Sequence, residues 1–250
     1  MLRSRDLVWD GCLNVRDLGG HPTADGGETS FGSIVRADSV GNLTTEGWEA
    51  LADYGIRTVI DLRGDYERED DPPRELPVEV RHIPFFEASD EEWEEIVEEL
   101  ERLDDLSVAD ATREAYLIFL ERFKPNVAAA VRAVAEAPEG GVVVHCVGGK
   151  DRTGLLTALL LHLAGVPTDE IAADYALSEE RLRPRHEAWF EAAETDAERR
   201  RLERIAQTPP EAITGVFDEL ERRYGSVEGY LRAAGVDDED LARARSRLRD

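Results

Sequence analysis

Residues 142–156, Val-Val-Val-His-Cys-Val-Gly-Gly-Lys-Asp-Arg-Thr-Gly-Leu-Leu, restrict the fold more than any other stretch of the chain. Three valines in a row read as a buried strand, and an apolar helical run starts near Thr153. Between them lies a short loop with two adjacent glycines. A loop closing into a helix N-terminus aims unpaired backbone N–H groups at one point, where the helix dipole adds positive character. That arrangement cradles a dianionic phosphate. Gly148 and Gly149 let the backbone curl around such a group. Cys146 stands at the loop entrance, where the same field stabilises negative charge on sulfur. Arg152 closes the loop and can grip two oxygens with its planar fork, which lysine cannot do. Val147, Gly148, Gly149, Lys150, Asp151 and Arg152 are therefore the candidate phosphate-binding residues.

Other anion-binding loops fit less well. A nucleotide-binding loop of the form G-x4-G-K-[ST] is excluded, because Asp151 follows Lys150 and Val144 stands where the first glycine belongs. A rhodanese-like sulfurtransferase loop also places a cysteine in an anion nest, but does not account for the following Arg-Thr-Gly helix start. A catalytically inactive phosphate-binding module is a third reading, opposed by the intact Cys146, Asp151 and Arg152. Cys12 and His162 read as core residues. Asn14, Arg16 and Asp17, ahead of two glycines, read as a structural brace beside the site. His186-Glu187 has no second histidine at zinc-ligand spacing, and no metal site is expected.

Around the central segment, strands alternate with helices. A helix from Thr45 to Tyr54 precedes the β-branched run Arg57–Leu62, and a helix from Asn126 to Ala137, following Pro125, precedes Gly141–His145. Ser33–Arg36 and Val78–Ile83 are weaker strands. The expectation is an α/β fold with a mostly parallel, buried central sheet flanked by helices. Apolar residues at helical spacing predict an amphipathic helix over Ser89–Leu103 and a second over Ala115–Phe123. This helical insertion, residues 87–124, is a candidate lid. Residues 167–250 read as a helical C-terminal part, with helices over Asp169–Leu177, Glu179–Ala193, Ala197–Ala206 and Glu211–Tyr224 and two short ones after them. With no repeat or linker, 1–250 reads as one domain.

Composition narrows the partners. The 250 residues carry 30 basic and 55 acidic side chains, a net charge of −25, which argues against nucleic acid and against stable membrane association. Lys124 and Lys150 are the only lysines; a GC-rich genome and a salt-rich habitat both produce that bias. Two widely separated cysteines make no disulfide framework, and no signal peptide or spanning segment is visible, so a reducing cytoplasm is expected.

His145-Cys146-x5-Arg152-Thr153-Gly154 resembles the signature of cysteine-dependent protein tyrosine and dual-specificity phosphatases. The form Gly149-Lys150-Asp151-Arg152 is similar to the bacterial tyrosine/serine and phosphoinositide-type, triple-specificity branch of that family. Asn14-Val-Arg-Asp-Leu-Gly-Gly20, Val35-Arg-Ala-Asp-Ser39 and Thr58-Val-Ile-Asp-Leu-Arg63 support the narrower match. The resemblance implies a phosphoric monoester hydrolase in which Cys146 forms a phosphocysteine, Arg152 and the loop N–H groups match the phosphoryl charge, and no metal or cofactor is used. His145 would orient the loop and Thr153 would donate to the departing sulfur. Asp151 inside the loop is the favoured general acid, with Asp61 and Asp65 as alternatives, and a loop-shaping ion pair is the other reading of Asp151. Lys150 is a candidate for a second phosphate. The expected substrate is a phosphorylated protein, through phosphotyrosine, phosphoserine or phosphothreonine, or a small or phosphoinositide-like phosphoester.

Overall fold

Val142, Val143 and Val144 form the middle of a five-stranded sheet in the computed structural model, which describes residues 3–69 and 78–249. Its strands are β1 (Arg16–Asp17), β2 (Ile34–Ala37), β3 (Ile56–Asp61), β4 (Glu79–His82) and β5 (Gly141–His145), in the order β1-β2-β5-β3-β4. All neighbours are parallel except β1 and β2, which are antiparallel. Because side chains alternate along a strand, Val142 and Val144 join Ile34 and Ile60 in one core, and Val143 joins Val35 and Val59 in another. Both faces are thus buried at β2 and β5, as a parallel sheet requires, while the edge strand β4 is partly exposed. The two-residue β1 is too short to be read from periodicity.

Register places the site. His145 lies beside Ala37 on one side and Asp61 on the other. The chain leaving β2, β3 and β5 therefore emerges at one edge, the carboxyl ends of parallel strands, where open α/β sheets bind ligands.

Helix α1 (Thr45–Asp53), capped by the Thr44 side chain, covers one face. The other face packs against α4 (Lys124–Ala135) and α5 (Arg152–Leu163). Helices α6 (Thr168–Arg181), α9 (Pro210–Tyr224), α10 (Val227–Ala234) and α11 (Asp238–Arg249) extend the same core, while α7 (Arg183–Ala192) and α8 (Asp196–Ala206) pack on each other outside it. The expected break at Ser178 is displaced: α6 runs on to Arg181, and Pro184 near the start of α7 sets the boundary. The buried Ser178 hydroxyl is instead used by Arg16.

The insertion resolves into α2 (Asp90–Glu101), with a Ser89/Glu92 capping box, and α3 (Val108–Arg122). Helix α3 starts well before Ala115, capped by Ser107. These helices are not one detachable unit. Tyr116, Leu117 and Leu120 of α3 are part of the main core, and the Tyr230 hydroxyl donates to the Leu120 carbonyl at 2.8 Å. Helix α2 buries only Ile96 and leans on α3 through Trp93 against Phe123 and Arg122 to Glu95. Among the described residues, no helix is long and apolar enough to cross a membrane.

Candidate active site

The loop from Cys146 to Asp151 is shaped from outside. Four consecutive carbonyls each have a partner on its outer surface. His145 Nδ1 lies 3.2 Å from the Cys146 oxygen. The Val147 oxygen accepts from the Ser39 N–H at 3.0 Å and from Arg185 at 3.1 Å. Asn14 Nδ2 donates to the Gly148 oxygen at 3.0 Å and the Gly149 oxygen at 3.2 Å, and Arg36 adds a 2.8 Å bond to the latter. In a trans peptide the C=O and the next N–H point opposite ways. The N–H groups of Val147, Gly148, Gly149 and Lys150 are accordingly turned away from this shell and into the loop, and the N-terminus of α5 adds its own. Cys146 lies at one end, 2% exposed, and Arg152 at the other.

Gly149 is required in the left-handed region, at φ +65°, and a Cβ there would sit 2.4 Å from the Ala37 carbonyl oxygen. Gly149→Ala is expected to destabilise the protein by about 2 kcal/mol or more and to weaken phosphate binding, because the loop must open to relieve the clash. Thermal melting with and without inorganic phosphate checks both effects.

The outer shell rests on Asp174 of α6. Its carboxylate accepts from Arg16 Nε at 2.9 Å and Arg36 Nη1 at 2.8 Å, all three side chains being buried. Burial alone would push Asp174 up, but Arg16 and Arg36 outweigh it and hold the carboxyl well below the usual range. Arg16 also donates to Asn14 Oδ1 at 2.6 Å, which fixes the Asn14 amide with its nitrogen toward the loop. Asn14 and Arg16 are thus a brace. Asp17 instead ties its own turn, accepting from Gly19 and Gly32 N–H groups at 2.7 Å.

On the open side, Glu67 holds Arg152 through both terminal nitrogens, Nη2 at 2.8 Å and Nη1 closer still. Burial would raise Glu67, yet Arg152 keeps it below the ordinary carboxylate range. Asp151 Oδ1 accepts from the Tyr116 hydroxyl at 2.6 Å and lies 3.5 Å from Lys150 Nζ. Lys150 itself donates to the Ile205 carbonyl at the end of α8, so its ammonium is engaged by that helix terminus. Asp61 is buried, pairs with Arg63 at 2.8 Å and Arg68 at 3.2 Å, and lies 3.6 Å from His145 Nε2. Burial pushes Asp61 up, but Arg63 and His145 override it and hold the carboxyl at about 2. Asp65 is exposed, 3.6 Å from His82. The Thr153 hydroxyl is buried and has no hydrogen-bond partner among the described residues.

Cys12 is half-buried, its sulfur 3.3 Å from the Ser39 carbonyl; burial, helped by Asp38, pushes its thiol up. His162 rests on Phe217 with ring centroids 4.8 Å apart. No group of three or more His, Cys, Asp or Glu side chains among the described residues is placed to hold a metal ion. Sequence reasoning assigned no site role to Arg36, which stands inside a quoted motif, or to Glu67, Tyr116, Asp174 and Arg185, all of which reach the loop or its partners from distant segments.

A family model described as "Tyrosine phosphatase family" matches residues 7–250. A tyrosine-protein phosphatase of Nostoc commune is 29% identical, covering 86% of this chain and 74% of its own. The triple specificity protein phosphatase PtpB of Mycobacterium tuberculosis is 28% identical, covering 95% of this chain and 97% of its own.

Proposed function

The chain belongs to the tyrosine phosphatase family, and from that premise we propose that it hydrolyses phosphoric monoesters with Cys146 as nucleophile. The observation that carries this reading is the set of four consecutive carbonyls, Cys146 to Gly149, held from outside, which turns the four following N–H groups inward. They supply preorganised donors for the equatorial phosphoryl oxygens, and water need not reorganise as charge shifts. The Cys146 thiolate attacks phosphorus in line, forming an S–P bond as the ester P–O bond breaks. Water then cleaves the S–P bond, and the Thr153 hydroxyl, which has no hydrogen-bond partner among the described residues, donates to the departing sulfur. His145, bonded to the Cys146 carbonyl, orients the loop entrance.

Asp151 is the general acid in this scheme. It lies in the loop with its side chain 46% exposed, open to a bound ester. Asp61 is buried and its carboxylate is taken up by Arg63 and Arg68; against that burial Arg63 and His145 hold it at about 2, so it is committed to an ion pair. Asp151→Asn is expected to slow phosphoserine hydrolysis by about 10²- to 10³-fold and an activated aryl phosphate by much less, since a good leaving group needs little protonation. Equal losses on both substrates would make Asp151 a shaping residue and move the acid elsewhere.

The substrate is a phosphorylated protein side chain or a small phosphoester, met in the cytoplasm. The net charge of −25 disfavours anionic membrane surfaces, whereas the loop acts at contact distance, inside the screening length. A covering role for residues 87–124 rests with α2 alone, because α3 is part of the core. Assaying one preparation with a chromogenic aryl phosphate and with thiosulfate tests the reading. Turnover of the phosphate alone supports it, and thiosulfate turnover alone overturns it.

A further inference from the structure

Tyr116 and Tyr175 form a hydroxyl chain that ends on the loop aspartate. The Tyr116 hydroxyl donates to Asp151 Oδ1 at 2.6 Å and lies 2.8 Å from the Tyr175 hydroxyl. A phenol has one proton. With that of Tyr116 spent on the carboxylate, Tyr175 must donate to Tyr116. Both rings are buried, packed edge to face with centroids 6.1 Å apart, in helices α3 and α6 that belong to the core. Burial and the nearby Asp151 charge push both phenols up, so they remain protonated donors through the neutral range.

We propose that Tyr116, polarised by Tyr175, is a positioning residue that reserves Asp151 Oδ1 as the charge-bearing oxygen and leaves Oδ2 to carry the catalytic proton. The proposal rests on the reading of Asp151 as general acid. Among the described residues, the hydrogen bond to this carboxylate and its lysine contact both fall on Oδ1. A proton taken up on Oδ1 would oppose both donors, so it goes to Oδ2. Tyr116 donates to a full charge more strongly than to a neutral carbonyl oxygen, which fixes Oδ1 toward the hydroxyl chain. Other charges face Asp151: Lys150 and Arg152 from its own loop and His186 from α7, with Cys146 acting on Arg152. Arg36 and Glu179 act on Tyr175 from β2 and α6, and Glu67 neutralises Arg152. All of these remain in place when a tyrosine hydroxyl is removed.

The test is the pH dependence of kcat for an alkyl phosphate in four variants: Tyr116→Phe, Tyr175→Phe, the double variant and Asp151→Asn. A general acid must be protonated, so activity falls on the basic side as it ionises. Removing the Tyr116 hydroxyl takes a donor away from the charge-bearing oxygen, and the expected result is a basic limb moved upward by about one pH unit. Tyr175→Phe should move it the same way by less. The double variant leaves no buried hydroxyl without a partner, and so keeps the test available if Tyr116→Phe alone folds poorly. Asp151→Asn should abolish the limb. An unmoved limb in folded Tyr116→Phe and double variants, with the limb lost in Asp151→Asn, overturns the positioning role and spares the acid assignment. A limb that survives in Asp151→Asn overturns the acid assignment and this proposal with it.

Discussion

Cys146→Ser is expected to abolish turnover, with kcat at least about 10⁴-fold below wild type on an aryl phosphate, while inorganic phosphate still binds. A serine hydroxyl is nearly isosteric with the thiol but far less acidic, so no anionic nucleophile forms at neutral pH. Nothing in the anion cradle depends on the sulfur. The carbonyls of residues 146–149 keep their outer partners, His145, Ser39, Arg185, Asn14 and Arg36, and the N–H groups stay turned inward. Binding and chemistry should therefore separate, and calorimetric titration with phosphate beside a stopped assay reads both. Residual activity above about 1% of wild type would remove Cys146 from the nucleophile's role.

The separation between what the sequence displays and what it conceals follows from contact range. Every cradle residue lies within one contiguous strand–loop–helix, so local rules suffice: β-branched residues for β5, glycines for the curl, a helix N-terminus for the anion. The groups that fix the cradle are distant. Glu67 and Arg152 are 85 positions apart, and Arg36 and Asp174 are 138 apart. No periodicity or spacing rule links such pairs. Glu67 stands among charged neighbours that resemble any solvated turn, and Asp174 sits on a helix whose acids are otherwise unremarkable in sequence. Tyr116 was visible as an apolar residue of α3, but its hydroxyl acquires meaning only when α3 is seen to reach Asp151. The starting point of α3 was legible in principle, because Ser107 and Asp110 make a helix cap. The apolar spacing that predicts Ala115 as the start simply weakens over the first turns. The break between α6 and α7 falls at Pro184, and Ser178, a helix-unfavourable residue by local rules, stays within α6 where its hydroxyl meets the buried arginines.

Arg152→Lys is expected to cut kcat by about 10³-fold with the fold intact, although the formal charge is unchanged. Arg152 has two obligations at once. Its terminal nitrogens hold Glu67, whose carboxylate also accepts from the Gly64 N–H at 2.7 Å and so ties the chain after β3 to the loop. Its remaining N–H donors must match the phosphoryl oxygens in the transition state. A guanidinium has five donors in a fixed plane and can serve both. An ammonium presents three donors from a single atom. Lysine at this position would pair with Glu67 at short range and leave the phosphoryl group without its clamp. Adding Glu67→Gln should therefore recover little, because freeing the ammonium does not restore a planar fork. If positive charge alone mattered, Arg152→Lys would retain activity within about tenfold of wild type, and Arg152→Lys/Glu67→Gln would approach it. Measuring kcat and KM for both variants on one aryl phosphate, beside their thermal melts, decides between charge and geometry.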